Sequence, residues 1–172
     1  RFEIVDLRDL AAAVTAIRTM QVRGAPLIGA AAAYGICLAM TDDASYQSLD
    51  RAYDALLASR PTAVNLRWAL DVMRSHLRNR RREERVEAAY RRAAEICDED
   101  VAINSAIGDN GLEILRSAAA KKSGKDRLNV LTHCNAGWLA AVDWGTALAP
   151  IYKAKAAGIP VVIFDTDVDW GG

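Results

Sequence analysis

Two apolar runs near the C-terminal end constrain the fold most, because a helical stretch lies between them. The first run, Leu128–Thr132, is followed by a helical pattern over about Gly145–Ala157. Gly158 would cap that helix, and the second run, Ile159–Phe164, begins directly after it. A strand, a helix and a strand in this order predict a β–α–β unit with parallel strands and a right-handed crossover. Residues 161–164 are all apolar, which predicts a fully buried second strand.

The preceding part of the chain has helical rather than strand periodicity. Over Leu7–Met20 the apolar residues recur at helical spacing, and Asp9 is the predicted N-cap. Over Leu27–Met40 nearly every residue is apolar, which predicts a buried helix that starts near Pro26. Further helices are predicted at 46–59, 66–78 and 82–120, whereas the apolar residues at 2–5 resemble a strand.

The two patterns together predict an α/β chain with two parts. Residues 1–124 form a helical N-terminal domain, and residues 125–172 form the first β–α–β unit of a Rossmann-like, doubly wound parallel-sheet domain. The polar segment Ser123–Asp126 is the predicted linker between them. The chain starts at Arg1 inside an apolar run and ends soon after the second strand, so we expect it to be a portion of a longer protein.

Composition argues against several classes of protein. The 22 basic and 22 acidic side chains balance, so charge gives no reason to expect nucleic acid or an anionic membrane as a partner. The longest apolar stretch, Leu27–Met40, is interrupted by two glycines and is too short to cross a bilayer. The three cysteines are odd in number and lack metal-ligand spacing, which argues against a disulfide framework and a zinc site. Reduced thiols are typical of an intracellular protein.

The predicted site lies where the first strand ends. The strand leads into the sequence THCNAG (132–137), which surrounds a thiol with small polar residues. Ligands of open α/β sheets bind outside the carboxyl ends of the strands, where the following turn offers backbone N–H groups. Cys134 is therefore a candidate nucleophile, although most single cysteines are small buried hydrophobes, and His133 stays unassigned. Cys37 and Cys97 lie on apolar helical faces, and we interpret them as structural.

Two loops that precede predicted helices each carry an arginine. In Arg23–Pro26 the glycine permits close approach to the backbone, the helix N-terminus offers free N–H groups and Arg23 adds a charged fork. In Arg60–Asn65 an arginine again precedes a helix, with Pro61 at its predicted first position. Taken alone, the first loop is more typical of an ordinary buried-helix start, and the second is typical of a surface turn. Together with Cys134 the two loops would suit a phosphorylated small molecule.

Four segments carry a resemblance to a known family. They are, in chain order, VRGAPLIGAAAAYG (22–35), SRPTAVNLRWAL (59–70), AINSAIGDNG (102–111) and LTHCNAGWLAAVDWGTAL (131–148). With these segments the chain resembles the methylthioribose-1-phosphate isomerases. Those enzymes share a superfamily with the α, β and δ subunits of translation initiation factor 2B and with the archaeal ribose-1,5-bisphosphate isomerases. The resemblance covers nearly the whole chain, and SRPTAVNL and THCNAG point to the methylthioribose branch.

The resemblance implies an aldose–ketose isomerase of methionine salvage, which converts 5-methylthioribose 1-phosphate into 5-methylthioribulose 1-phosphate. Cys134 is implied as the catalytic thiol. Contacts to the phosphate and sugar oxygens are implied for Arg23, Gly24, Ala25 and Arg60. The resemblance further implies a cytoplasmic homodimer whose partner is a phosphorylated sugar, with no metal or organic cofactor, no nucleic acid and no membrane.

The resemblance also implies that the general acid, an aspartate, lies beyond Gly172. The 172 residues would then hold half an active site and would not turn over by themselves. The segment Asp165–Trp170 departs from the family pattern at this point. Two alternatives remain open: a regulatory subunit related to initiation factor 2B, and an isomerase of another sugar phosphate such as ribose 1,5-bisphosphate. Cys134 and the SRPTAVNL loop favour an enzyme over the regulatory subunit.

Overall fold

The computed structural model describes residues 3–122, 126–133 and 136–165. In chain order its regular elements are α1 (Leu10–Arg18), α2 (Ala25–Asp42), α3 (Tyr46–Ser59), α4 (Val64–Arg78), α5 (Arg85–Ala120), β1 (Leu128–Thr132), α6 (Ala149–Ala156) and β2 (Val161–Asp165). Five helices followed by a strand, a helix and a parallel strand confirm the predicted α/β fold class. The chain separates into two compact units within α5, Arg1–Asp98 and Glu99–Gly172. A domain boundary at the linker, between residues 124 and 125, stays a prediction.

The first unit is built around α2, which packs against α1, α3 and α4. Most residues of α2 are small or apolar, and Ile36, Cys37 and Met40 are almost completely buried in the core. The helix α2 extends the predicted apolar stretch Leu27–Met40 by two residues at each end, and by length and composition alone these 18 residues could cross a membrane. Since 56% of that stretch is buried inside the unit, the structure accounts for its apolar character as a core helix.

The helix starts of the first unit are of two kinds. Asp9 caps α1, as predicted, by accepting a hydrogen bond of 2.7 Å from the Ala12 N–H. Ser45 caps α3 in the same way through the Ser48 N–H, at 3.0 Å. In contrast, no side chain caps the N-terminus of α2 or of α4. Of the four helices α1 to α4, therefore, α2 and α4 leave their first-turn N–H groups without a side-chain acceptor.

The second unit contains the parallel pair β1 and β2, with Leu128 opposite Val161 and Thr132 opposite Asp165. The strand β2 begins two residues later than predicted, because the Ile159 N–H donates to the Ala154 carbonyl and still closes α6. The prediction of a fully buried second strand was wrong. Ile163 and Phe164 are 41% and 54% exposed, because little apart from β1 and α6 packs against β2 in the described residues.

Three further boundaries differ from the sequence-based predictions. The helix α6 begins at Ala149 rather than near residue 145, because Trp144 and Gly145 have left-handed φ angles of 65° and 73° that a right-handed helix excludes. The helix α4 begins at Val64, so Pro61 precedes the helix instead of opening it. Residues 3–7 form no strand.

Candidate functional site

The first arginine loop leads directly into α2. Gly24 is the N-cap residue and has a φ of +91°, a conformation that residues with a Cβ adopt only under strain. Pro26 occupies the first turn and contributes no N–H of its own. Arg23 and Ala25 are exposed to solvent on either side of Gly24. The loop therefore presents a bare helix N-terminus with a guanidinium group beside it, which is the combination that binds anions.

The second arginine loop leads into α4 in a similar way. Arg60 ends α3 and is half-buried, and its carbonyl accepts a hydrogen bond of 3.0 Å from the Ala63 N–H. This turn reverses the chain immediately before α4. Ala63 is the N-cap residue, and alanine offers no acceptor to the first-turn N–H groups. The first turn of α4 is consequently as open as that of α2.

The structure brings the starts of α2 and α4 together. A Cβ added to Gly29, one turn into α2, would lie 3.1 Å from the carbonyl oxygen of Asn65 and 3.6 Å from the Cβ of Ala69. Asn65 is the second residue of α4, so the backbones of the two helices touch within about a turn of their N-termini. Both open helix ends and both arginine loops therefore belong to one region of the first unit.

The guanidinium groups of Arg23 and Arg60 make no contact with a side-chain or backbone acceptor in residues 3–122, 126–133 and 136–165. Other arginines of this unit are paired: Arg78 with Asp50 at 2.8 Å, and Arg82 with Asp43 at 2.9 Å. Two unpaired guanidinium groups beside two open helix N-termini can bind a phosphate group, because both kinds of donor prefer an anionic acceptor.

The other part of the predicted site lies at the carboxyl end of β1. Thr132 is buried and pairs in register with Asp165, so the parallel strands end side by side. His133 follows β1 and is exposed to solvent. Cys134, the predicted thiol, and Asn135 lie outside the described residues. The role of Cys134 is therefore a prediction from the sequence.

The residues after this gap form a close-packed turn. A Cβ on Gly145 would lie 2.5 Å from the carbonyl carbon of Gly137 and 2.7 Å from the carbonyl oxygen of Ala136. The Leu148 N–H donates to that same Ala136 oxygen at 3.3 Å. The segment before α6 thus holds the backbone at Ala136 and Gly137, the residues that follow Asn135.

The two described cysteines behave as structural residues. Cys37 is fully buried, and burial raises the pKa of its thiol to about 12. Its Sγ donates to the Ala33 carbonyl at 3.3 Å within the same helix. Cys97 is half-buried on α5 and hydrogen-bonds to Tyr34, whose pKa is raised chiefly by burial. Neither thiol has the exposed, electropositive surroundings that a nucleophilic cysteine needs.

A sizeable cavity of the first unit lies away from the arginine loops. It has a volume of about 910 Å³ and is lined by residues of α1, α3 and the C-terminal part of α2, such as Thr15, Leu38 and Arg51. Leu38 and Gly24 are separated by about 20 Å along α2, given a rise of about 1.5 Å per residue. None of the predicted site residues lines this cavity.

Sequence reasoning missed the contribution of Gly29 and of the N-cap alanine, Ala63. Gly29 stands in a run of small residues, so its sequence neighbours give no sign that another helix approaches it. The absence of a polar residue at position 63, directly before a helical pattern, was a signal that could have been used.

Comparisons with known proteins agree with the fold. Residues 21–170 match the sequence profile of the Initiation factor 2 subunit family. The chain is 59% identical over 163 residues to a methylthioribose-1-phosphate isomerase of Methylorubrum extorquens, with 95% of this chain and 44% of the relative covered. It is 55% identical over 164 residues to the enzyme of that name from Escherichia coli, again covering 95% of this chain and 44% of the relative. The chain thus spans less than half the length of these curated relatives.

Two solved structures are similar to this chain. Translation initiation factor eIF-2B, subunit delta, from A. fulgidus has a TM-score of 0.79 and 35% identity, covering 96% of this chain and 48% of that one. The 5-methylthioribose 1-phosphate isomerase from Pyrococcus horikoshii also has a TM-score of 0.79, with 29% identity, covering 96% of this chain and 54% of that one. The backbone is therefore equally compatible with a protein of either description.

Proposed function

Because the chain belongs to the Initiation factor 2 subunit family, we propose that it forms part of an aldose–ketose isomerase that converts 5-methylthioribose 1-phosphate into 5-methylthioribulose 1-phosphate. The observation that carries the proposal is the close approach of Gly29 to Asn65, which joins two open helix N-termini and their unpaired arginines in one region. The identity of 55–59% to curated enzymes of that name supports this sugar phosphate over other phosphorylated ligands.

The first unit binds the phosphate and sugar oxygens in this proposal. Arg23 and Arg60 supply charged donors, and the first turns of α2 and α4 supply backbone N–H groups. Gly24 and Ala25 carry no bulky side chain, so the ligand can approach the helix start. Hydrogen bonds to a charged group contribute about 1.5–3 kcal/mol each, so this cluster is strong enough to fix the position of the substrate.

The isomerisation requires a proton donor that opens the sugar ring. It also requires a second group close to C1 and C2, the carbons between which a hydrogen moves. The C1 phosphate prevents free ring opening, so an acid has to protonate the ring oxygen before C1 and C2 can react. We assign the catalytic thiol to Cys134, at the carboxyl end of β1, on the basis of the THCNAG motif. We assign the acid to a residue beyond Gly172, and Asp165 matches no position of the family's acid.

We extend the proposal to a cytoplasmic homodimer in methionine salvage. The balanced charge of 22 basic and 22 acidic side chains supports a small-molecule partner over nucleic acid or an anionic membrane. Sedimentation velocity on the longer gene product that contains this chain tests the dimer. A single species with the mass of one subunit at micromolar concentration would overturn it.

The isomerase proposal is tested by incubating that longer gene product with 5-methylthioribose 1-phosphate and following the sugar carbons by NMR. We expect the ketose signals to appear, to be lost in Cys134→Ala and to persist in Cys97→Ala, which removes a structural thiol. We expect the 172-residue chain alone to give no turnover. Absence of ketose from the well-folded, unsubstituted protein would overturn the proposed function.

A regulatory subunit related to initiation factor 2B is the second candidate. It is supported by the similarity to the A. fulgidus protein, whose TM-score of 0.79 equals that of the isomerase structure. Such a protein would bind a sugar phosphate at the same arginine loops without transforming it. Calorimetric binding of 5-methylthioribose 1-phosphate without ketose formation, unchanged in Cys134→Ala, would favour this candidate.

A further inference from the structure

Two large apolar side chains of α4 point away from the core of the first unit. Val64 and Trp68 are 78% and 46% exposed, whereas Leu66 and Leu70 on the opposite face are fully buried. Positions 64 and 68 are about one turn apart on an α-helix, so the two side chains lie on one face. The solvent face of a helix is usually polar, and exposed apolar groups that cluster beside polar donors indicate a place where a ligand or another surface binds.

Trp68 differs from the other tryptophans that the structure describes. The ring of Trp138 packs against that of Tyr152, with 5.5 Å between the ring centroids. The ring centroid of Trp144 lies 4.8 Å from the ammonium nitrogen of Lys153, which is a cation–π distance. Within residues 3–122, 126–133 and 136–165, Trp68 takes part in no aromatic pair, cation–π contact or hydrogen bond. Its indole ring is therefore available to a ligand.

The exposed pair stands beside the proposed phosphate site. Val64 is the first residue of α4 and follows the N-cap residue Ala63, so it lies at the open helix start. Side chains on a helix lean toward its N-terminus, so the Trp68 ring covers the turn that begins at Val64. Trp68 itself lies about 6 Å further along the axis, given a rise of about 1.5 Å per residue. A sugar whose phosphate binds at the helix start and at Arg60 can therefore reach this ring with its other end.

The methylthio group of the proposed substrate matches these side chains chemically. It is a thioether on C5, at the end of the sugar opposite the C1 phosphate. A thioether sulfur packs favourably against an aromatic ring at a distance of about 5 Å, as in methionine–aromatic pairs. A phosphate group on C5, as in ribose 1,5-bisphosphate, would instead lose its water against two apolar side chains, which is costly for a charged group. The exposed pair therefore favours a methylthio sugar over a sugar bisphosphate.

We propose that Val64 and Trp68 form the subsite for the methylthio group: the sulfur packs against the Trp68 ring, and the methyl group contacts Val64. The inference rests on the proposed function, since it concerns the ligand of that site, and it names the residues that select the sugar. Neither residue takes part in the isomerisation itself. Both bind the end of the substrate that does not react.

The test compares 5-methylthioribose 1-phosphate with ribose 1-phosphate, which carries a hydroxyl group in place of the methylthio group. Calorimetry measures the dissociation constant of each ligand for the longer gene product carrying Cys134→Ala, which removes the proposed turnover. We expect Trp68→Ala to weaken binding of the methylthio ligand about tenfold, the usual effect of one small apolar group in a pocket, and to leave ribose 1-phosphate unaffected. We expect Trp68→Phe, which keeps an aromatic ring, to retain most of the affinity.

Val64→Ala has a matched control in Val5→Ala. Both valines are exposed, and Val5 precedes α1. We expect Val64→Ala to lower the preference for the methylthio ligand, by less than Trp68→Ala does, and Val5→Ala to leave that preference unchanged.

Retained binding of ribose 1-phosphate shows that a variant is folded, and Trp68→Phe and Val64→Ala decide the matter if Trp68→Ala is not. Equal weakening of both ligands in folded Trp68→Ala, or weakening of neither, would overturn the subsite. A preference that depends on Trp68 in a protein whose unsubstituted form never produces ketose would overturn the isomerase reaction and leave the subsite standing. Failure of the unsubstituted protein to bind either ligand would overturn both proposals.

Discussion

Gly29 of α2 and Asn65 of α4 approach so closely that a Cβ on Gly29 would lie 3.1 Å from the Asn65 carbonyl oxygen. The neighbouring group is backbone in the first turn of a helix, so it cannot swing aside as a flexible side chain would. A side chain at position 29 would therefore require the start of α4 to move away from α2 by a few tenths of an ångström. This contact decides how near the two arginine loops lie to each other.

Gly29→Ala should lower the free energy of unfolding by about 1 kcal/mol. The substitution raises helix propensity by about 1 kcal/mol, but pressing a methyl group into a packed interface costs about 1–3 kcal/mol. Urea denaturation of the variant measures the difference. Movement of the two helix starts away from each other should also raise the KM of the longer gene product for 5-methylthioribose 1-phosphate. A variant that is more stable than the original, with an unchanged KM, would show that the helix starts need not touch.

Arg23→Gln and Arg60→Gln should each raise KM for 5-methylthioribose 1-phosphate about tenfold or more, with a smaller effect on kcat. A hydrogen bond from a charged donor is worth about 1.5–3 kcal/mol, and glutamine keeps a polar amide but neither the charge nor the full reach of arginine. Steady-state kinetics of the longer gene product at constant ionic strength measure the change. Arg18→Gln, an exposed arginine on α1, is the matched control and should leave KM unchanged. If Arg18→Gln raised KM by the same factor, the effect would come from the overall charge of the protein and not from contacts at the arginine loops.

The stability of the first unit should fall as the pH rises from about 9 toward 12, in part because of Cys37. Burial raises the pKa of this thiol from 9.0 to about 12, so only the unfolded chain releases its proton in that window. The contribution is fully present below pH 9 and is lost progressively as the pH approaches 12. Urea titrations at several pH values should give a shallower pH slope for Cys37→Ala. Burial also raises the pKa of Tyr34, which leaves a residual slope in both proteins.

A comparison of Gly145→Ala with Gly158→Ala distinguishes the stability cost of backbone strain from that of steric overlap. Both glycines have similar left-handed φ angles, +73° and +76°. A Cβ on Gly158 meets nothing within 4 Å, whereas one on Gly145 would lie 2.5 Å from the Gly137 carbonyl carbon. We expect Gly158→Ala to cost about 1–2 kcal/mol from strain alone. We expect Gly145→Ala to cost clearly more and to speed amide hydrogen exchange at Ala136 and Gly137.

If the two substitutions prove equally tolerated, residues 136–137 are not held by the turn at Gly145. Thermal melting and hydrogen exchange of both variants distinguish the two outcomes. Of the two glycines, only Gly145 lies against the backbone of Ala136 and Gly137.

Features that depend on a few neighbouring residues were predictable from the sequence. The cap of α1 at Asp9 and the parallel pairing of β1 with β2 are of this kind, because each follows from the local pattern of polar and apolar residues. The arginine loops were also recognisable, since a charged residue ahead of a helix start is visible in the sequence alone.

Features set by contacts between distant residues were not predictable. Gly29 has no local signature, because Asn65 lies 36 positions further along the chain. The late start of α6 depends on two left-handed residues, Trp144 and Gly145, and only the second of these is a residue type that suggests such a turn. The exposure of β2 likewise depends on what packs against it, which its apolar composition does not reveal.

Because α2 and α4 lack side-chain caps, their folding is coupled to the proposed binding of an anion at their N-termini. A side-chain cap typically contributes about 1 kcal/mol to a helix, and these two helices lack it while α1 and α3 possess it. An anion bound at both starts supplies the missing acceptors only in the folded state, so its binding raises the population of folded molecules by mass action. With the proposed binding, the midpoint of thermal unfolding is expected to rise with sugar-phosphate concentration, so the melting curve would report occupancy of the site.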